Sequence, residues 1–308
     1  MSYLQRALEL AERGRGKVRD HPLVGAVVVA GDEIAGEGWY EYDAVDHAET
    51  VALRAAGGRA RGATVYVTLE PCTHHGRTPP CAEALIAAGV ARVVVGALDP
   101  NPKAAGGVER LRAAGIDVEV VDSADARRQN AAWRTWVALG RPRVTYKAAV
   151  TLDGRVVVPG RRWVSNEESR RLVHELRASV DAVAVGMGTV RADNPRLDAR
   201  DVGATRQPRR IAFGHGDAGD LEVRSGPLEE ELRALAAEGV QSLLLEGGPT
   251  IATAFVRAGL VDEILLLVAP VIAGEGPRFL GDVPLTLQSM DARPVGGDVL
   301  IRATVDEP

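Results

Sequence analysis

Four residues in the first half of the chain have the types and spacing for metal-assisted chemistry. His47 and Glu49 stand in a His-Ala-Glu triplet, and Cys72 and Cys81 each follow a proline. One imidazole and two thiolates supply three ligands of a tetrahedral zinc ion, and a fourth position left to water marks a catalytic site instead of a closed structural one. The pattern predicts that His47-Ala48-Glu49 opens a helix and that Pro71-Cys72 and Pro80-Cys81 each stand where a strand or loop runs into a helix. Proline suits the first turn because its missing N–H has no intrahelical partner there. The following cysteine then feels the positive end of the helix dipole, which favours the thiolate that zinc binds. Only two cysteines occur in 308 residues, so both are committed to one segment. In a reducing compartment such a pair more often binds metal or does redox chemistry than forms a structural bridge. Taken singly, a histidine can cap a helix and a cysteine can fill a small core space; their combination in this order argues against both. His74 and His75 could compete as ligands, but consecutive residues are poorly placed to bind one ion jointly, so a loop role or a substrate contact is expected.

His-x-Glu followed by Pro-Cys and a second cysteine is the signature of the zinc nucleobase deaminases, in which the glutamate shuttles protons and is not a ligand. Here the second part is stretched to Cys-x8-Cys, running Cys72-Thr-His-His-Gly-Arg-Thr-Pro-Pro-Cys81. The implied reaction is hydrolytic. Glu49 takes a proton from water, the water oxygen adds to an amidine-like ring carbon, and Glu49 protonates the departing ammonia.

An α/β layered sheet must position these residues. Strand-like runs at residues 23–30, 63–69 and 91–96 alternate with helix-like runs from His47, from Pro79 and near Val108, followed by a strand IDVEVV and a helix ending near Leu139. Gly140-Arg141-Pro142-Arg143 breaks the pattern, which places a domain boundary between residues 1–142 and 143–308. The second half repeats the rhythm with strands DAVAVG, RRIAFG, QSLLLEGG and DEILLLVAPVIAG, without a sequence repeat relating the halves. The longest apolar run, Ile264 to Gly274, fits a buried strand and is far short of a membrane span.

The charge balance narrows the function classes. With 37 Lys and Arg against 42 Asp and Glu, a net charge of −5 and both signs scattered, there is no basic face for a duplex. Only 4 Trp, 5 Tyr and 3 Phe are available for a base-stacking channel, which disfavours an editing deaminase acting on nucleic acid. The amino-terminal run reads as an amphipathic helix with Leu4, Ala7, Leu8 and Ala11 on one stripe and lacks a signal peptide's apolar centre. A cytoplasmic enzyme with a small-molecule substrate, no nucleic-acid partner and no membrane partner is expected.

In the second half, Gly186 and Gly188 follow one strand and Gly247-Gly248 join another to a helix near Pro249. Glycines there let backbone N–H groups approach a phosphate, although tight turns need the same residues. Gly214-His-Gly216-Asp-Ala-Gly219 matches G-x-G-x-x-G literally, but no clear helix follows, and it reads as a surface turn.

The segment VTLEPCTHHGRTPPCAEALIAAGVARVVVGALDPNPKAAGGVERLRAAGIDV resembles one family closely: the bifunctional riboflavin-biosynthesis enzymes, which fuse a diaminohydroxyphosphoribosylaminopyrimidine deaminase to a 5-amino-6-(5-phosphoribosylamino)uracil reductase. Lys147, Thr151-Leu152-Asp153-Gly154-Arg155, Trp163-Val164-Ser165, Asp193-Asn194-Pro195 and Glu246-Gly247-Gly248-Pro249-Thr250 resemble the reductase half, and the match runs from about residue 2 to the end. The resemblance implies a cytidine-deaminase-like α/β/α sandwich followed by a dihydrofolate-reductase-like α/β domain, with zinc and NADPH as cofactors and self-association of the chain. It implies zinc ligation by His47, Cys72 and Cys81 and proton shuttling by Glu49. NADPH contacts are implied at Val150, Trp163, Thr189 and Asp193 and along Gly248, Pro249, Thr250, Ile251, Ala252, Thr253 and Ala254. Arg177, Leu197, Arg200 and Glu246 are implied to touch substrate, arginine being suited to a sugar phosphate. For Arg177 the other reading is a solvated charge at a helix end.

Three positions depart from the family pattern: His21 replaces the usual Asn before Pro, Tyr40 stands where His is usual, and Arg161 replaces a Ser two positions before Trp163. The alternative function is therefore a specialised paralogue acting on another phosphoribosylated pyrimidine or purine-like intermediate.

Overall fold

The computed structural model describes residues 2–76 and 78–305, so Arg77 of the cysteine loop lies outside the described residues. Two compact units divide between Ala138 and Leu139.

In the first unit, strands β1 (Gly25–Ala30), β2 (Glu33–Trp39), β3 (Thr64–Val67), β4 (Arg92–Val95) and β5 (Asp117–Val120) pair in the order β2-β1-β3-β4-β5. β1 runs antiparallel to both neighbours, and β3, β4 and β5 are mutually parallel. Valines bury both faces of β1 and β4, as a sheet covered on two sides requires. Helices α2 (Ala48–Ala56), α3 (Cys81–Ala88) and α4 (Gly107–Ala113) cover one face, where Ala48, Ala52 and Leu85 pack on Val28, Val65 and Val93. On the other face, α1 (Tyr3–Glu12) sets Ala7 and Leu10 on Val27 and Val29, and α5 (Ala124–Gln129) brings Ala126 against Leu8. The unit ends with α6 (Ala131–Leu139), stopped by Gly140 at φ +63°. Gly36 and Gly38 explain the Gly-Glu-Gly of β2. A Cβ at either position would come within 2.2 Å of a backbone oxygen of α2, so glycine lets the strand press directly on the helix that carries Glu49.

The second unit is built on eight strands: β6 (Arg143–Thr151), β7 (Ala182–Gly186), β8 (Arg209–Phe213), β9 (Glu222–Arg224), β10 (Ser242–Leu245), β11 (Glu263–Ala269), β12 (Ser289–Val295) and β13 (Asp298–Thr304). Their order is β12-β13-β11-β6-β10-β7-β8-β9. The six strands from β11 to β9 are parallel to their neighbours, and β13 and β12 add an antiparallel edge. Helices α7 (Glu167–Ser179) and α8 (Met187–Asp193) pack through Val173, Leu176, Met187 and Val190 on one face. On the other, α9 (Leu228–Ala237) and α10 (Pro249–Arg257) bury Leu232, Leu235, Ala252 and Phe255. Ligands of open parallel sheets bind beyond the carboxyl ends of the strands, where the order reverses. The ends of β6, β7 and β10 meet that description, because β10 inserts between β6 and β7.

One expectation changes and another holds. The apolar run from Ile264 is a strand only to Ala269; Pro270 lacks an N–H, and the chain continues as a loop in which Ile272 is 75% exposed. Residues 214–219 lead into β9 instead of a helix, in keeping with a turn. No helix among the described residues is long and apolar enough to cross a membrane.

Candidate active sites

His47 is the N-cap of α2 with extended backbone, φ −71° and ψ 157°, and its side chain makes no capping bond. The ring is free to ligate. Nδ1 lies 3.1 Å from Cys81 Sγ and 3.5 Å from Cys72 Sγ, and the three donor atoms all fall within 4.8 Å of one another. A tetrahedral ion with Zn–N of about 2.0 Å and Zn–S of about 2.3 Å sets nitrogen and sulfur about 3.5 Å apart, so this donor set fits zinc in both spacing and softness. His74 and His75 are exposed and lie outside the cluster.

The two cysteines reach the centre differently. Cys81 is the first residue of α3, with Pro80 as N-cap, as the sequence predicts. Cys72, expected at a helix start, sits instead in the extended loop after β3. It still feels a helix terminus, because the Cys81 N–H donates to Cys72 Sγ at 3.4 Å, so α3 serves both sulfurs. That bond, the donated Cys81 thiol and the His47 ring hold the Cys72 thiol well below its ordinary range despite burial. The Cys72 sulfur in turn raises His47. Glu49, in the first turn of α2 and buried, is pushed above the usual carboxylate range by burial and by Cys72. A carboxyl tuned this way can hold a proton and return it.

These groups line a cavity of about 310 Å³. From the ligand ring, aromatic groups run outward along one wall: Tyr40 meets His47 edge-on at 5.5 Å between centroids, and His21 meets Tyr40 at 5.5 Å. Trp133 and Trp136 of α6 also line it, as do Asp99 and Asn101 in the loop after β4. Buried Glu70 anchors that loop. Its Oε2 accepts the Asp99 N–H at 3.1 Å, and its Oε1 accepts the N–H groups of Gly106 and Val108 at 2.9 and 3.1 Å. Burial raises the Asp99 carboxyl to about 6.

In the second unit, Val150, Thr189, Glu246 and the start of α10 lie at or just after the carboxyl ends of β6, β7 and β10. Gly248 N–H donates to Thr189 Oγ1 at 3.2 Å, tying the start of α10 to α8. Neither helix has a side-chain cap; Pro249 has no N–H to offer, so the N–H groups left without a cap start at Met187 in α8 and at Thr250 in α10. A Cβ at Gly247 would lie 2.1 Å from Ile251 Cγ2, whereas one at Gly188 would meet open space. The first glycine is required by packing, and the second leaves room beside the backbone. This cradle fits a dinucleotide's phosphates. Trp163, in the loop after β6, is 52% exposed, while the Val150 side chain is buried in the core. Asp193 closes α8.

Arg177, Leu197, Arg200 and Glu246 are linked through one network. Arg177 is not a solvated helix-end charge: it is 13% exposed, and its Nε and Nη2 donate to Glu246 at 2.6 and 3.0 Å. Its Nη1 donates to the Asp198 carbonyl at 3.0 Å, so all three nitrogens are engaged. Lys147 Nζ reaches Glu246 Oε2, which also accepts from Arg177 Nη2, at 3.5 Å. These cations hold buried Glu246 below the usual carboxylate range. Arg200 pairs with the Asp198 carboxylate, and Leu197, buried at φ +52°, turns the chain into that segment.

Residues 1–97 match the family model of the cytidine and deoxycytidylate deaminase zinc-binding region, and residues 142–301 match that of the RibD C-terminal domain. The riboflavin biosynthesis protein RibD of Aquifex aeolicus is 41% identical across 92% of this chain and 90% of its own length. That of Escherichia coli is 37% identical across 97% of both. The chain belongs to the RibD family. Among solved structures, Acinetobacter baumannii RibD superposes with a TM-score of 0.83 at 34% identity, covering 99% of this chain and 98% of that one. A Thermotoga maritima diaminohydroxyphosphoribosylaminopyrimidine deaminase/5-amino-6-(5-phosphoribosylamino)uracil reductase gives 0.83 at 32%, with the same coverage. The fold is therefore a cytidine-deaminase-like α/β unit followed by a RibD reductase unit.

In this RibD-family chain, four residues of the first unit's cavity and one of the second unit's charge network gain a role only from the structure. Trp133 and Trp136 share a face of α6 through their i, i+3 spacing, which was a usable signal. Asp99 and Asn101 come from a loop whose placement depends on Glu70, a tertiary contact without a local signature. Lys147 belonged to a quoted motif, but only its approach to Glu246 gives it a role.

Proposed function

We propose that this chain is a bifunctional enzyme of riboflavin biosynthesis, deaminating diaminohydroxyphosphoribosylaminopyrimidine in its first unit and reducing the ribosyl side chain to ribityl with NADPH in its second. The observation that carries the reading is the open three-donor set of His47, Cys72 and Cys81 beside buried Glu49, in a chain whose relatives share both units along nearly their whole length. That shared length disfavours a specialised paralogue.

In the first unit, His47, Cys72 and Cys81 would hold zinc, which when bound supplies a Lewis acid beside water. Glu49 takes the proton from that water and delivers it to the amine that leaves, and its dry surroundings keep the proton from being lost to solvent between the two events. Tyr40 and His21 offer a phenol and an imidazole to the base, while Trp133 and Trp136 give it an apolar wall.

In the second unit, Thr189, Asp193, Trp163, the Val150 backbone and the start of α10 would hold NADPH, which when bound supplies two electrons as hydride. Residues 249–254 present the helix terminus. Glu246, Arg177 and Lys147 hold the ribosyl part in place, and Arg200 faces the more solvated phosphate end. Lys147, a cation against Glu246, is the group positioned to donate a proton as the sugar ring opens.

A reducing cytoplasm suits the free thiols at the centre. The edge strand β12 is exposed along most of its length, with Met290 69% exposed, and it is the surface through which this chain would self-associate. Metal analysis paired with single-turnover assays of both half-reactions tests the function. About one zinc per chain, ammonia release and subsequent NADPH oxidation support it; no ammonia from a zinc-loaded protein contradicts it.

A further inference from the structure

Helix α7 sends a second side chain to the segment that carries Arg200. His174 stands three residues before Arg177, a spacing that puts both on one helix face. Both reach residues 198–200, which belong to no helix or strand. Such a segment has no ladder to satisfy its backbone, so side chains must do it. Arg177 Nη1 donates to the Asp198 carbonyl at 3.0 Å, and His174 Nδ1 lies 3.0 Å from the same oxygen. Gln207 holds the next residue with both ends of its amide: Oε1 accepts the Ala199 N–H and Nε2 donates to the Ala199 carbonyl, each at 2.8 Å. The Arg200 N–H is directed at His174 Nδ1 at 3.4 Å, its one acceptor among the described residues.

Nδ1 can donate to Asp198 or accept from Arg200, but not both at once. The Asp198 carbonyl keeps Arg177 in either case, whereas the Arg200 N–H loses its acceptor when Nδ1 carries a proton. The neutral ring with its proton on Nε2 therefore satisfies both backbone groups. Partial burial and the cations Arg177 and Arg200 favour that neutral ring, holding His174 below its ordinary range against the opposing pull of Asp198.

Resting on the reductase reading, we propose that His174 is a positioning residue for the sugar phosphate: Nδ1 fixes the backbone at Arg200 and so sets where that guanidinium meets the phosphate. The Arg200 side chain cannot supply this anchorage itself. It is 45% exposed and pairs with the Asp198 carboxylate, a contact that moves with the segment. His174 comes instead from the helix that aims Arg177 at Glu246, so one rigid element keeps the glutamate clasp and the phosphate-facing arginine in register. Its bonds go to backbone groups of the segment, and it acts through Arg200.

The test follows NADPH oxidation on the deaminated substrate with His174→Ala, Arg200→Ala, the double variant and His174→Asn. Alanine removes the ring and suits the helix. KM for the sugar phosphate should rise about 3–10-fold, the range of one lost hydrogen bond, with kcat within about 2-fold and KM for NADPH unchanged. The double variant should fall within about 2-fold of Arg200→Ala alone, because a residue that acts through Arg200 has nothing left to position. In His174→Asn the side-chain amide stands where Nδ1 stood and can accept from Arg200, which should return KM to within about 2-fold of wild type. An unchanged KM in His174→Ala, effects that multiply in the double variant, or an asparagine variant as impaired as alanine would each overturn the positioning role while leaving the reductase standing. So would a parallel loss of NADPH affinity in both His174 variants, since the ring would then be a prop of the whole unit. Absence of NADPH oxidation by wild type would instead overturn the reductase reading, and the role of His174 with it.

Discussion

The two units build their sites by opposite electrostatic strategies. In the first, the His47 ring is the one cationic group acting on buried Glu49 among the described residues, and burial pushes the carboxyl toward the protonated form. In the second, the Glu246 side chain is only 7% exposed but is clasped by Arg177 and Lys147, which keep it ionised. The same residue type is thus made a proton carrier in one unit and a fixed anion in the other, set by what surrounds it. A carboxyl that must cycle its proton is left unpaired, whereas one that must orient a sugar is locked between charges.

The largest effect should come from dismantling the metal centre. Cys81→Ala removes both a ligand and the thiol that donates to Cys72, so zinc content should fall to near zero and ammonia release by about 10³-fold or more, while NADPH oxidation of the deaminated substrate continues. Prolonged chelation of the intact protein should give the same separation. Loss of both activities together would mean that the units do not work apart.

Next in size is Glu246→Ala, which strands two cations that are largely withdrawn from water. Breaking a buried ion pair in this way typically costs about 3–5 kcal/mol, visible in the unfolding transition of the second unit. Reduction should be lost, and ammonia release kept at temperatures below that transition. An unchanged unfolding midpoint would remove the charge clasp from the account.

Much of this organisation is written locally, and part of it is not. The metal ligands were legible because His47 and Glu49 share one helix start and both cysteines follow prolines within one loop, so residue type and spacing carry the information. The misplaced helix start at Cys72 shows the limit. Proline marks a position that lacks an N–H, and an extended loop satisfies that as well as a first helical turn does. The central strands were legible from their valine and leucine runs. β12 was not, since Asp291, Arg293 and Pro294 give an edge strand no apolar alternation. Glu246 could be named only by resemblance, because its partners lie 69 and 99 residues away in sequence. The grip of Glu70 on the loop holding Asp99 is equally non-local.

A smaller effect should follow Gly247→Ala. The added methyl meets Ile251, so the start of α10 must shift, at a cost of about 1–3 kcal/mol for overpacking. KM for NADPH should rise several-fold with deamination unaffected; an unchanged KM would take that turn out of the cofactor site. The smallest change belongs to Arg200→Ala, whose partly exposed pair with Asp198 is weak in water. A rise of about 3–10-fold in KM for the sugar phosphate is expected from one lost charge-assisted contact, with the ammonia assay unaltered.

The contrast between the two glutamates is tested most directly by Glu49→Gln, assayed for zinc, ammonia release and NADPH oxidation in one preparation. Zinc should remain near one per chain and NADPH oxidation of the deaminated substrate should match wild type, while ammonia release drops by about 10²–10⁴-fold, the range of a lost general acid–base. Ammonia release within a few-fold of wild type, with zinc in place, would contradict the assignment of Glu49 as the proton carrier.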